Sequence, residues 1–270
     1  MACRSSLPDG AEPPSPSALE LIASTAAREA AAVITQTHGR PDPVGRKTSP
    51  TDVVTETDLR AEALLTGQLQ KLTPDAGILG EEGGTTAPGA RLQWVLDPLD
   101  GTINFLYGVP LFAVSVAAAV DGEVVAGAVV DVLRDELFSA HRGGGARLDG
   151  KPIAAARRAS FATALVLTGF SYHAQQRAVQ GEVVQRVLAR ARDVRCFGST
   201  ALELCWVACA RADAYFQRGT AIWDRAAGAL IAAEAGAQTE LPCPENEDLV
   251  IAAAPAVFDD LWSTVQFAAA

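Results

Sequence analysis

Two apolar runs of similar length, Leu111 to Val120 and Glu123 to Val132, are separated only by Asp121-Gly122. An Asp-Gly link of two residues suits a hairpin turn, so the runs pair as antiparallel strands. Glu136 to His141 gives a third strand before the break Gly143-Gly144-Gly145, and Asp149-Gly150 marks another turn. Such a meander must be covered on its apolar faces. Helices supply the cover. One runs from Ser17 to about His38, with Leu19, Ile22, Ala26, Ala30 and Val33 as its stripe, and Gly39 and Pro41 end it. A second covers Thr55 to Leu72, capped by Thr55 with Asp58 three residues on, and continued by Leu65, Leu69 and Leu72. Between them lies a polar loop, Arg40 to Pro50, whose Gly45, Arg46 and Lys47 suit either solvated surface or a flap. Ala76 to Leu79 is a short strand ending in Gly80-Glu81-Glu82-Gly83-Gly84. A Gly- and Thr-rich loop then leads to the strand Leu92 to Leu96.

The second half alternates. Strands at Ala164 to Gly169, Val194 to Phe197, Ala214 to Gln217 and Leu249 to Ala253 are interleaved with helices at Gln175 to Ala191, Thr200 to Arg211, Trp223 to Ala235 and Phe258 to Phe267. A meander half followed by an alternating half makes an α+β protein. The chain reads as a disordered tail, residues 1–16, and a single domain, 17–270, made of halves 17–158 and 159–270. Hydrophobic residues are 49% of the 270, enough for a large core.

The net charge of -10 argues against nucleic-acid and anionic-membrane partners, which require basic patches. An acidic protein still accepts an anionic substrate when a divalent cation stands between them. The tail has no apolar signal core and no stretch suits a membrane span. Five cysteines without a CxxC pair fit a reducing cytoplasm. Cys205 and Cys209 read as small core residues on one helix face. His38, His141 and His173 are too scattered for a zinc site.

The chemistry concentrates where the run Trp94-Val95-Leu96 ends in Asp97-Pro98-Leu99-Asp100-Gly101-Thr102-Ile103-Asn104-Phe105. Asp97, Asp100, Glu81, Asp58 and Asp224 each stand at the edge of an apolar element. Gathered together, such acids call for a cation, and carboxylates with water suit magnesium. Two or more ions can activate a water and clamp a phosphate. Simpler readings stand beside this one. Asp58 and Asp224 serve equally as helix caps, Glu81-Glu82 as a solvated turn, and Asp97 to Gly101 as a type I turn.

The stretch Leu96 to Phe105 resembles the first signature of the inositol monophosphatase family of lithium-sensitive, magnesium-dependent phosphatases. Trp223-Asp224-Arg225-Ala226-Ala227-Gly228, continuing to Glu234-Ala235-Gly236-Ala237, resembles the second. Lys47 to Asp58, Gly80-Glu81-Glu82 and Gly198-Ser199-Thr200-Ala201 resemble three further blocks, all in the family's order. The resemblance implies a layered αβαβα sandwich, usually a homodimer, acting on a small phosphorylated substrate with two to three magnesium ions per site. It implies that Glu81, Asp97 and the carbonyl of Leu99 hold one ion, that Asp97, Asp100 and Asp224 hold a second, and that Glu81 assists a third. Thr102, hydrogen-bonded to Asp58, would orient and help deprotonate the attacking water. Gly101 and Thr102 would offer N–H groups to the phosphate. Gly198, Ser199, Thr200 and Gln217 would face the substrate, beside Glu81, Leu99, Asp100 and Asp224.

Three positions depart from the family pattern. Gln217 stands where many members place a glutamate that grips substrate hydroxyls. Thr200 replaces a common alanine, and Ala254-Pro255 ends the last strand where an asparagine is frequent. The expected reaction is hydrolysis of myo-inositol monophosphate. Fructose bisphosphate, histidinol phosphate and phosphoadenosine phosphate, substrates of related members, remain alternatives, with Tyr172, His173 and Arg218 as the candidate surface for a nucleotide. A non-catalytic binding protein of the same fold is the rival from another class.

Overall fold

The computed structural model describes residues 12–37, 43–46, 53–157, 160–242 and 248–266. The tail up to residue 11 and the block residues Lys47 to Asp52 lie outside that set, and with them most of the expected flap.

Helix α1 (Pro16–Thr37) buries Leu19, Ala23, Ala26, Ala27, Ala30, Ala31 and Ile34. Its buried stripe is rotated slightly from the expected one, leaving Ile22 and Val33 half-buried. Alanine at most inward positions lets the helix lie close to what it covers. Strands β1 (Pro43–Arg46) and β2 (Val53–Thr55) form a separate antiparallel pair. Helix α2 (Glu56–Leu72) starts at the cap expected for it. Thr55 and Asp58 form a capping box, and Leu65 and Leu69 turn inward.

Next come β3 (Gly77–Gly80), β4 (Gly84–Thr86), β5 (Leu92–Asp100), the short helix α3 (Thr102–Tyr107), β6 (Ala113–Val120), β7 (Glu123–Asp131), β8 (Glu136–His141), β9 (Ala146–Leu148) and β10 (Lys151–Pro152). They make one eight-stranded sheet in the order β10-β9-β8-β7-β6-β5-β3-β4. Only β3 and β5 pair in parallel. At the β6–β7 turn Asp121 and Gly122 both have positive φ, 52° and 87°, as the tight hairpin requires.

The second half holds β11 (Leu165–Thr168), α4 (Ala174–Leu188), β12 (Asp193–Arg195), α5 (Thr200–Ala208), β13 (Ala214–Arg218), α6 (Ile222–Glu234), β14 (Gln238–Glu240), β15 (Leu249–Ala253) and α7 (Pro255–Val265). Its five strands run β12-β11-β13-β15-β14.

Three buried clusters define the layers. Trp94, Leu96, Val114 and Val116 pack under α1 and α2. Val95, Ala117 and Val129, on the opposite face of the same sheet, meet α5, α6 and the inner face of the second sheet, including Tyr215 and Val250. Phe216 and Ile251, on that sheet's outer face, pack against Val183 and Val187 of α4 and Val257 and Leu261 of α7. The order is helices, sheet, helices, sheet, helices, the αβαβα sandwich. Period-two alternation along each strand feeds two cores at once. Gly127 of β7 shows how tight the middle contact is. A Cβ there would lie 2.9 Å from Ala227 Cα of α6.

Several boundaries differ from expectation. β5 does not stop at Leu96 but continues to Asp100, with a register shift against β6 between Asp97 and Asp100. The stretch that could also have been a type I turn is a bulge inside a buried strand. α5 ends at Ala208 rather than Arg211, because Ala210 takes a φ of 60° and Arg211 N and Ala212 N donate back to Trp206 O. Cys205 is buried in α5, whereas Cys209 lies just past its end. α4 stops at Leu188. α7 begins at Pro255, a good first residue for a helix. The edge strands β4 and β14 have no strand pattern in the sequence. No described helix is long and apolar enough to cross a membrane.

Candidate active site

Strand β5 carries its two acids into the interior, with Asp97 2% and Asp100 8% exposed. Asp97 Oδ1 accepts from Leu99 N at 3.0 Å, which folds the bulge around the carboxylate. Gly101 then takes a φ of 96° and turns the chain into α3. No larger residue fits, since a Cβ would stand 3.0 Å from Leu111 O and 3.2 Å from Gly198 O. Asn104 of α3 staples this turn to the other half. Its Nδ2 donates to Leu111 O at 2.8 Å and Phe197 O at 2.6 Å.

Thr102 Oγ1 lies 3.1 Å from Asp58 Oδ1 and 3.1 Å from Leu99 O, so one hydroxyl proton serves two acceptors. Asp58 is fully buried. Its other oxygen, Oδ2, accepts from Thr55 N at 2.9 Å and from Thr55 Oγ1. Asp58 therefore makes two kinds of contact, one through each oxygen. It caps α2 and it holds Thr102.

Asp100 Oδ2 accepts from Ser199 Oγ at 2.5 Å and from Ala201 N at 2.8 Å. Burial, and to a lesser extent the charge of Glu81, pushes its pKa up to about 7, against those two hydrogen bonds. Asp224, in the first turn of α6, caps it through Ala221 N at 3.0 Å. Glu81 follows β3, and its N–H donates to Leu96 O at 3.2 Å, beside Asp97.

These residues share one cavity of about 860 Å³. It is lined by Glu81, Asp97, Leu99, Asp100, Gly101, Thr102, Gly198, Ser199, Thr200, Gln217 and Asp224, so of the expected site only Asp58 stands behind the wall. Four carboxylates and a peptide carbonyl form an all-oxygen donor set that fits a hard divalent cation. In the positions shown, no three His, Cys, Asp or Glu side chains among the described residues are close enough to hold one ion together. Asp97, Asp100 and Asp224 are each tethered through one oxygen to a neighbouring N–H or O–H.

The substrate side has its own polar chain. Tyr215 Oη donates to Gln217 Oε1 at 2.8 Å and lies 3.2 Å from Thr200 Oγ1. Gln217 also closes over Gly169, where a Cβ would meet its Oε1 at 2.0 Å. Its carbonyl is engaged by Tyr215, and Gln217 forms part of the cavity wall. Phe170, Tyr172 and His173 line another part of the wall. Arg218 does not line this cavity and pairs with Asp248 at 2.7 Å.

Sequence reasoning missed Phe170 and Glu203. Glu203, 1% exposed in α5, accepts from Phe197 N at 2.6 Å and Gly198 N at 3.2 Å through Oε1, while Oε2 is buried with no hydrogen-bond partner among the described residues. Burial raises its carboxyl well above the usual range. An acid among the apolar residues of α5 was the available signal.

Residues 16–265 match the inositol monophosphatase family model. The chain belongs to the inositol monophosphatase family. An inositol-1-monophosphatase SuhB of Mycobacterium tuberculosis is 46% identical over 235 residues, covering 83% of this chain and 81% of that protein. A Nus factor SuhB of Pasteurella multocida is 36% identical over 255 residues, covering 91% and 94%. Among solved structures, the extragenic suppressor protein suhB of Bartonella henselae superposes with a TM-score of 0.86 at 29% identity, covering 93% of this chain and 99% of that one.

Proposed function

We propose that the protein is a magnesium-dependent phosphatase that releases phosphate from a small monoester, with myo-inositol monophosphate as its first substrate. The observation that carries this is one cavity on which Glu81, Asp97, Asp100 and Asp224 open together with Thr102, itself bound to a buried Asp58. The name of the Mycobacterium tuberculosis relative supports the substrate. Glu81, Asp97 and the Leu99 carbonyl would hold one ion, Asp97, Asp100 and Asp224 a second, and Glu81 would assist a third. Bound there, magnesium lowers the pKa of water and offsets the charge of the phosphate.

The chain's own groups do the rest. Thr102 Oγ1 orients the attacking water and takes its proton while passing its own to Asp58 Oδ1. The N–H groups of Gly101 and Thr102 receive phosphate oxygens. Gly198, Ser199, Thr200 and Gln217 position the alcohol. No covalent phosphoenzyme is needed. Residues 17–270 act as a single catalytic domain, because halves 17–158 and 159–270 each supply part of this wall. Homodimeric assembly, inhibition by lithium and a cytoplasmic setting complete the reading. They rest on the family resemblance and on a sequence with no CxxC pair.

A second reading keeps the chemistry and changes the alcohol. Phe170, Tyr172 and His173 offer aromatic wall to a planar ring, which favours histidinol phosphate or phosphoadenosine phosphate. Phosphate release from a panel of these monoesters and fructose bisphosphate, with magnesium and with or without lithium, tests both. No turnover of any by folded protein refutes the phosphatase, and turnover unchanged by Asp97→Asn refutes the metal assignment. The same variant used as bait asks whether a binding role, of the kind the Pasteurella multocida name denotes, survives without catalysis.

A further inference from the structure

Helix α2 carries two inward acids one turn apart, Asp58 and Glu62. The first is accounted for by the Thr102 contact. Glu62 is 6% exposed and does not line the cavity. Both of its carboxylate oxygens are spent on the turn that follows β3. Oε2 accepts from Glu82 N at 2.8 Å, and Oε1 accepts from Gly83 N.

Two glycines make room for this carboxylate. A Cβ on Gly80 would stand 2.5 Å from Glu62 Oε1 and 2.8 Å from Oε2, and one on Gly83 would stand 2.5 Å from Oε1. Neither glycine has a positive φ. What they provide is space rather than backbone freedom. Glu81 lies between them, and its own N–H is tied to Leu96 O of β5, next to Asp97. The peptide of Glu81 is thus held from the sheet side by β5 and from the helix side by Glu62. A buried carboxylate accepting two backbone N–H groups makes charge-assisted bonds, stronger than neutral ones.

We propose that Glu62 is a positioning residue. It clamps the turn 80–83 so that Glu81 projects into the cavity beside Asp97, and in doing so it sets the affinity for the divalent cation. α2 then serves the site twice, with Asp58 holding the hydroxyl that handles the water and Glu62 holding the turn that carries a ligand. The identity of the ion rests on the phosphatase reading. The clamp itself rests on the hydrogen bonds.

The test uses the full chain and magnesium as the probe. In Glu62→Gln one acceptor becomes an NH₂ that faces a backbone N–H, so one of the two bonds turns repulsive. Amide exchange at Glu82 and Gly83 in metal-free protein should accelerate about ten-fold or more. The magnesium Kd from titration calorimetry should rise roughly ten- to a hundred-fold, as for other groups that orient a metal ligand. Activity should recover as magnesium is raised. Gly83→Ala approaches from the other side. It leaves Glu62 intact but drives a methyl into its oxygen, and it should raise the Kd in the same direction. It also decides the matter should Glu62→Gln fail to fold. A Kd within about two-fold of the parent in a folded variant, whatever its Tm, overturns the proposal. A parent that binds no magnesium overturns the metal reading instead, and the exchange data would show whether the clamp exists without it.

Discussion

Asp58→Asn separates two jobs that one side chain performs. Thr55 N is a fixed donor, so the amide keeps its carbonyl oxygen there and turns its NH₂ to Thr102. Thr102 Oγ1 then accepts from residue 58 and directs its proton to Leu99 O, the other acceptor within reach. On the proposed mechanism the hydroxyl can still touch water, but it has no base to pass a proton to. Losing a positioned acid–base group costs about 10²- to 10⁴-fold in kcat. That corresponds to about 3–5 kcal/mol of barrier. Stability responds far less. The helix cap keeps its backbone bond and loses at most about 1 kcal/mol. For a chain of this size that lowers Tm by about 2–4 °C. The assay is phosphate release at saturating magnesium, paired with calorimetric melting. Thr55→Ala is the reciprocal variant, expected to lower Tm by a similar amount while leaving the Asp58–Thr102 contact in place. If Asp58→Asn keeps kcat within about five-fold of the parent and only melts earlier, the residue is a cap and the water-handling role is refuted.

Gln217→Glu replaces a donor on the cavity wall with a second acceptor, so the substrate ranking should move toward inositol phosphates; an unchanged ranking would show that residue 217 does not read hydroxyls. Glu203 has a folded-state pKa raised above its unfolded value, so the folded state binds the extra proton and stability falls as pH rises above the ordinary carboxylate value of about 4.5. Glu203→Gln keeps an oxygen for Phe197 N and Gly198 N and should flatten the fall of Tm with rising pH above the ordinary carboxylate value; an identical slope in the variant would refute the assignment. Gly127→Ala pushes a methyl into the backbone of Ala227, and overpacking of this kind costs about 1–3 kcal/mol. Denaturant melts should show it, and a wild-type midpoint would mean that α6 shifts freely on the sheet.

Local chemistry made much of this legible in the sequence. Thr55 with Asp58 marked the start of α2, Asp121-Gly122 marked the hairpin, and the motif residues marked the cavity wall. Long-range determinants were less visible. β5 runs through Asp97-Pro98-Leu99-Asp100 because the pairing with β6 resumes after a bulge, and a bulge has no local signal that separates it from a turn. Glu62 looked like any helical acid, since its partners are backbone N–H groups twenty residues on that carry no side-chain signature. Glu203 stood out as an acid in an apolar helix, but its acceptor role is set by the fold of the chain before α5. β4 and β14 are short edges made by pairing rather than by propensity.

The contacts that close the cavity join distant parts of the chain: Asp100 to Ser199 and Ala201, Asn104 to Phe197, and Ser115 to Trp223. Contacts this far apart in sequence form late, after the local hairpins and helices. On refolding, helical signal should therefore return before activity does. The carboxyl group of Asp100 reports on the arrival of the second half of the chain, so the candidate site doubles as a sensor of completed folding.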